Sequence, residues 1–178
     1  MKRIIKIVSF LLLITPISGM AQEQSKELAN KVEAMAKVGA CYSPSFSPDG
    51  SEIAFISTIS GIPQLWKMPS AGGWPIQLTN FNDPISNVGW SPKGDEIAFE
   101  LAPGGGMNSQ VYFIKADGSK FEQITSGGKS NNRINTWSED GNYLAYASNE
   151  NNPSGIDNYL YNLSTKSSEL VSKNPGVG

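Results

Sequence analysis

Phe46-Ser47-Pro48-Asp49-Gly50-Ser51-Glu52-Ile53-Ala54-Phe55 decides the fold, because the stretch occurs three times. It returns as Trp90-Ser91-Pro92-Lys93-Gly94-Asp95-Glu96-Ile97-Ala98-Phe99, and again as Trp137-Ser138-Glu139-Asp140-Gly141-Asn142-Tyr143-Leu144-Ala145-Tyr146. The offsets are 44 and 47 residues, the length of a four-stranded blade in a radial β-sheet repeat. In Ser-Pro-Asp-Gly the proline presets φ and the glycine accepts a positive φ, which makes a tight turn between two strands. After the turn, Ile53, Phe55, Ile97, Phe99, Leu144 and Tyr146 alternate with alanine or polar residues, the period of a strand. Asp49, Asp95 and Asp140 are accordingly read as turn residues rather than catalytic acids.

Working outward, a second element follows each copy. Gln64-Leu65-Trp66-Lys67-Met68 aligns with Gln110-Val111-Tyr112-Phe113-Ile114 and then with the run that starts at Asn158-Tyr159-Leu160. A polar turn and a closing strand come next: Ile76-Gln77-Leu78-Thr79, Glu122-Gln123-Ile124-Thr125 and Ser168-Glu169-Leu170-Val171. The expected fold is all-β: about three four-stranded blades of an incomplete β-propeller over residues 41–178, with blades near 42–80, 86–126 and 133–172. Phe46, Trp90 and Trp137 each precede the tight turn, where a large aromatic ring can wedge between neighbouring blades.

The segment before the repeats has a different character. Lys2, Arg3 and Lys6 form a positive start, Ile7 to Ser18 is largely apolar, and Gly19-Met20-Ala21 supplies small residues at a cleavage site. Residues 1–21 are therefore expected to be a signal peptide cleaved after Ala21, which implies a periplasmic or secreted product without a stable membrane span. Residues 22–40 read as a short helix and linker, with Leu28, Val32 and Met35 on one helical face and Gly39 as its stop.

Composition removes several function classes. Loss of the first 21 residues takes three of the 14 basic side chains and none of the 16 acidic ones, leaving a net charge of −5. Nucleic acid and anionic lipid demand clustered Lys and Arg, so neither is expected as a partner. Histidine is absent, so Ser-His-Asp and Cys-His catalysis and most zinc sites cannot be complete within this sequence. No catalytic residue, cofactor or metal is expected. Cys41, the one cysteine, has no intrachain partner and reads as a small buried residue near the first strand.

Loop length selects a working face. In an antiparallel blade the first-to-second and third-to-fourth connections share one face, and here they are short. The other face carries the long runs 57–63, 100–109, 148–157, 80–86 and 126–133. Binding residues concentrate on variable loops held by a rigid scaffold. Asp83, Glu100, Asn108, Asn132 and Arg133 are the candidate substrate- or partner-facing loop residues. Gly104-Gly105-Gly106 lacks the Lys-Ser/Thr and the following helix of a phosphate loop.

Ser-Pro-Asp-Gly-x-x-Ile-Ala-Phe resembles the TolB-like repeat, a relative of the WD repeat. Gly61-Ile62-Pro63-Gln64-Leu65-Trp66 and Gly72-Gly73-Trp74-Pro75-Ile76-Gln77-Leu78-Thr79 are similar to the N-terminal propeller of bacterial prolyl-oligopeptidase-type serine peptidases, in the acylaminoacyl-peptidase and dipeptidyl-peptidase-like branch. The resemblance spans roughly Tyr42 to Val171. It implies a non-catalytic propeller that gates access of peptide substrates to a C-terminal α/β-hydrolase domain of the parent chain. That domain's catalytic positions have no counterpart in this sequence, which also lacks a Gly-x-Ser-x-Gly elbow. The alternative is a TolB-type periplasmic protein-interaction propeller without enzymatic activity. A third reading is a binding propeller assembled from several short chains. Propellers close with typically four to eight blades, so this sequence is expected to be part of a longer polypeptide.

Overall fold

The computed structural model describes residues 23–30 and 39–176. The chain divides into two units, 1–38 and 39–178. In the first, residues 23–30 form a short helix and are exposed. Residues 1–21, read from the sequence as a signal peptide, and Val32 and Met35 lie outside the described residues.

The second unit is three four-stranded sheets, each a meander of antiparallel neighbours in chain order. The first contains β1 (Cys41–Phe46), β2 (Glu52–Ser57), β3 (Gln64–Pro69) and β4 (Ile76–Gln77). The second contains β5 (Ile85–Trp90), β6 (Glu96–Leu101), β7 (Gln110–Lys115) and β8 (Phe121–Gln123). The third contains β9 (Asn132–Trp137), β10 (Tyr143–Ser148), β11 (Asp157–Asn162) and β12 (Ser167–Ser172). This is the expected set of blades of an incomplete propeller.

Each tight turn closes as its sequence dictates. The Gly50 N–H donates to Ser47 O at 2.9 Å, the Ser47 hydroxyl donates to Asp49 Oδ1 at 2.6 Å, and the Ser51 N–H donates to the same oxygen at 3.0 Å. Ser138, Asp140, Gly141 and Asn142 repeat this pattern in the third sheet. In the second sheet Lys93 stands where the carboxylate would be, yet the Gly94 N–H still donates to Ser91 O. Backbone geometry therefore carries the turn, and the aspartate reinforces it.

Packing places the core between sheets. Ala54, Ile56 and Leu65 of the first sheet meet Ile97, Phe99, Tyr112 and Ile114 of the second. The opposite face of the second sheet offers Ala98, Val111 and Phe113 to Leu144, Tyr146, Tyr159 and Tyr161 of the third. Covered on both sides, β6 is buried from Ile97 through Leu101, whereas the outermost β12 is exposed throughout. Aromatic rings reinforce the seams: Phe113 stacks on Trp137 with centroids 5.2 Å apart.

The aromatic wedge holds where a preceding sheet exists to receive it. Trp90 is 6% exposed within the first seam. Trp137 is half-buried in the second, and its indole N–H donates to Gly89 O at 3.1 Å. Phe46 departs from the expectation: it is 60% exposed. Cys41 also departs, being exposed: Ile85 and Asn132, which open the corresponding strands β5 and β9, are buried against the preceding sheet, and no described sheet precedes β1. The Cys41 thiol donates to the Ser57 hydroxyl at 3.4 Å.

Register corrects the third repeat by one residue. Ser57 faces Gln64, Leu101 faces Gln110 and Ser148 faces Asp157 across the same strand pair. Asp157, not Asn158, is thus the counterpart of the two glutamines. All three are at most 2% exposed.

Candidate functional site

The long loops of each sheet are held by the buried polar residue that opens its third strand. Gln64 Oε1 accepts the Thr79 hydroxyl and the Phe81 N–H, each at 2.9 Å. Its amide nitrogen donates to Phe81 O and Asp83 O. Gln110 repeats the arrangement, accepting from Thr125 Oγ1 at 2.8 Å and donating to Ser130 O at 2.8 Å. In the third sheet Asp157 Oδ1 accepts from Asn152 Nδ2 at 2.9 Å and from the Asn174 N–H at 2.8 Å, and these two bonds hold its carboxyl below the usual range. Gln64, Gln110, Thr79, Thr125 and Asp157 were not candidates on sequence. The signal that marks the first four is a glutamine followed by a threonine at the same interval in two repeats.

On this frame the five candidates separate. Asp83, in the loop after β4, accepts the Gly104 N–H at 2.8 Å on one oxygen and the Gly105 N–H at 2.7 Å on the other. It pins the short 3₁₀ turn Pro103–Gly105, where both of those glycines have positive φ. Those N–H groups are therefore engaged internally.

Asn132 is not a loop residue. It opens β9, is fully buried, and donates from Nδ2 to Ser109 O, Gln110 Oε1 and Ser130 Oγ at 3.0–3.1 Å. It braces the loops from beneath because a buried amide must find partners. Asn108 is exposed, and its carbonyl accepts a long bond from Gln110 Nε2 at 3.5 Å.

Glu100 lies within β6, not in a loop, and is 6% exposed. Its Oε1 accepts the Ile134 N–H at 2.7 Å and Asn87 Nδ2 at 3.1 Å, while its Oε2 accepts the Ser86 hydroxyl at 3.3 Å. Arg133, in β9, is exposed. Neither forms an ion pair among the described residues.

The structure brings Glu100 and Arg133 together in one open depression of about 400 Å³ between the second and third sheets, on the long-loop face. Asn87, Met107, Ser109 and Ile134 share its lining. Met107 is 90% exposed at the rim. The Ser109 hydroxyl and Asn132 Oδ1 are buried without a hydrogen-bond partner. The depression thus sets an exposed guanidinium beside a largely buried carboxylate, the equipment of recognition. Among the described residues no group of three or more His, Cys, Asp or Glu side chains is placed to hold a metal ion. No described helix is long and apolar enough to cross a membrane.

The family described as the TolB beta propeller domain (PD40) matches residues 22–176. The protein TolB homolog of Chlorobaculum tepidum is 37% identical over 85 residues, covering 48% of this chain and 19% of that protein. The crystal structure of TolB from Acinetobacter baumannii aligns with a TM-score of 0.60 at 20% identity, covering 78% of this chain and 33% of that one. A puromycin-hydrolyzing peptidase of Mycobacterium tuberculosis aligns with a TM-score of 0.63 at 16% identity, covering 76% of this chain and 24% of that one. The chain spans a quarter or less of the length of the curated relatives it matches.

Proposed function

Since the chain belongs to the TolB β-propeller domain family, we propose that it is a non-catalytic recognition module that holds an extended polypeptide against its long-loop face. The observation that carries this reading is the depression between the second and third sheets, where Glu100 and Arg133 stand within a rigid frame of buried amides. Loops braced in this way offer side chains at fixed positions, which lowers the ordering cost of binding. Cleavage after Ala21 would place the module in the periplasm or outside the cell.

The test is capture from envelope extracts on the immobilised chain, with captured proteins identified by mass spectrometry. The comparison is with a Met107→Lys, Asn108→Lys variant, both positions being exposed. One specific protein retained by the chain and lost with the variant supports the reading. Capture indifferent to the two substitutions counts against this face.

A second reading makes the same propeller the substrate gate of a longer serine peptidase. It is supported by the Gly72-Gly73-Trp74-Pro75 stretch, whose Trp74 is 88% exposed, and by the likeness in fold to a peptidase. Its test is the coding sequence that follows Gly178. An α/β-hydrolase domain with Gly-x-Ser-x-Gly, then Asp and His, would favour it, and further blades ending in a stop codon would remove it.

A further inference from the structure

We infer that the depression between the second and third sheets is a subsite for a basic side chain, lysine or arginine, of an extended polypeptide, with Glu100 as the anionic anchor at its floor. The inference rests on the polypeptide-binding reading and names the chemistry of one of its contacts. Three donors converge on the Glu100 carboxylate: the Ile134 N–H, the Asn87 amide and the Ser86 hydroxyl. All are neutral, and no cation of the described residues pairs with the carboxylate. Two carboxylate oxygens provide about four lone-pair sites, so three donors leave acceptor capacity unfilled. The bond to Ser86, at 3.3 Å, is the longest of the three and lies on the oxygen with one donor.

A buried carboxylate left without a cation is costly unless something compensates it. Met107 at the rim can cover the alkyl stem of a long basic side chain. Arg133 opposes a cation, but it is exposed and screened by water and salt. Direct contact with the desolvated carboxylate outweighs that repulsion.

The experiment uses the full chain and two hexapeptides, both acetylated and amidated, alanine-rich, and carrying one central arginine or one central citrulline. Binding is followed by the amide resonance of Ile134, whose N–H is bonded to Glu100, and by isothermal titration. The arginine peptide is expected to bind about tenfold more tightly, as a hydrogen bond to a charged group implies. Rising salt should narrow that gap. Glu100→Gln keeps an acceptor for the Ile134 N–H and should bring the arginine peptide to the citrulline level. Arg133→Gln should tighten arginine binding by about two- to threefold.

Equal affinity of the two peptides overturns the inference and leaves the polypeptide-binding reading standing. So does failure of both peptides to bind while the envelope partner is still captured. Loss of capture as well removes both. Should Glu100→Gln fail to fold, the salt dependence and Arg133→Gln decide the matter.

Discussion

The carboxylate of Glu100 accepts the backbone N–H of Ile134 at 2.7 Å across 34 residues of chain. A side chain of the second sheet thereby takes the place of a strand partner for the first strand of the third. The seams between sheets are filled by apolar contact, and this bond adds direction and register. Trp90 N–H to Ser45 Oγ, at 2.8 Å, does the same at the seam between the first and second sheets.

Removing that acceptor should loosen the seam. Glu100→Ala leaves the Ile134 N–H and the Asn87 amide without their partner, at a cost of about 1–3 kcal/mol. Glu100→Gln retains a carbonyl oxygen and should cost about 1 kcal/mol or less. Urea midpoints of the two variants, with hydrogen exchange at the Ile134 amide, read the difference. Equal midpoints would show that the bond contributes nothing to the seam.

The glycine of the tight turn has two jobs, and two positions separate them. Gly50 and Gly141 both have positive φ, at +71° and +64°. A Cβ at position 50 meets no atom within 4 Å, whereas one at position 141 lies 2.9 Å from Lys93 Cγ and 3.2 Å from Lys93 N. Gly50→Ala should cost about 1–2 kcal/mol from backbone conformation alone. Gly141→Ala adds overpacking against the neighbouring turn, about 1–3 kcal/mol more. Thermal melts of both variants test the ordering.

Asp49 and Asp140 are expected to make a contribution to stability that acid removes. The Ser47 hydroxyl, then the Ser51 N–H and hydroxyl, lower the Asp49 pKa from 3.8 to about 2. The Ser138 hydroxyl, then the Asn142 N–H and side chain, lower Asp140 to about 2 as well. A folded pKa below the unfolded one stabilises fully above the unfolded value and is lost as pH falls through the folded value. The window is therefore pH 4 down to 2. Carboxyl resonances of both residues should titrate near 2, and Asp49→Asn with Asp140→Asn should flatten the loss of stability across that window. Titration near 3.8 would mean that the turn bonds do not persist in solution.

Much of this architecture was legible because blade formation depends on local chemistry. The Ser-x-x-Gly turn and the period-2 strands that follow it are set by residues adjacent in sequence. The site was less legible because its partners are distant. Glu100 and Asn132 look like loop residues, polar and next to turn-rich stretches, yet both are buried by contacts with residues 13 to 34 positions away. The third repeat slipped by one residue for a related reason. Asn158 stands where Leu65 and Val111 are buried, and there it is exposed, so a polar residue is tolerated and imitates the glutamine that opens the other third strands. Cross-strand register, not residue type, identifies Asp157 as the equivalent position.

The aromatic wedge makes the dependence on neighbours measurable. Phe46, Trp90 and Trp137 end the first strand of their sheets and precede the same turn, so intrinsic strand and turn preferences are closely matched. What differs is the preceding sheet. Trp90 packs in the cluster that contains Ala54 and Ile56, and Trp137 stacks on Phe113 and bonds to Gly89 O. Phe46 is 60% exposed. Trp90→Ala should cost about 3–5 kcal/mol, with Trp137→Ala somewhat less because it is half-buried. Phe46→Ala should stay within about 0.5 kcal/mol, the range of surface substitutions. Urea unfolding of the three variants gives the ranking. A Phe46→Ala cost as large as that of Trp90→Ala would place the wedge's contribution in its own sheet rather than in the seam.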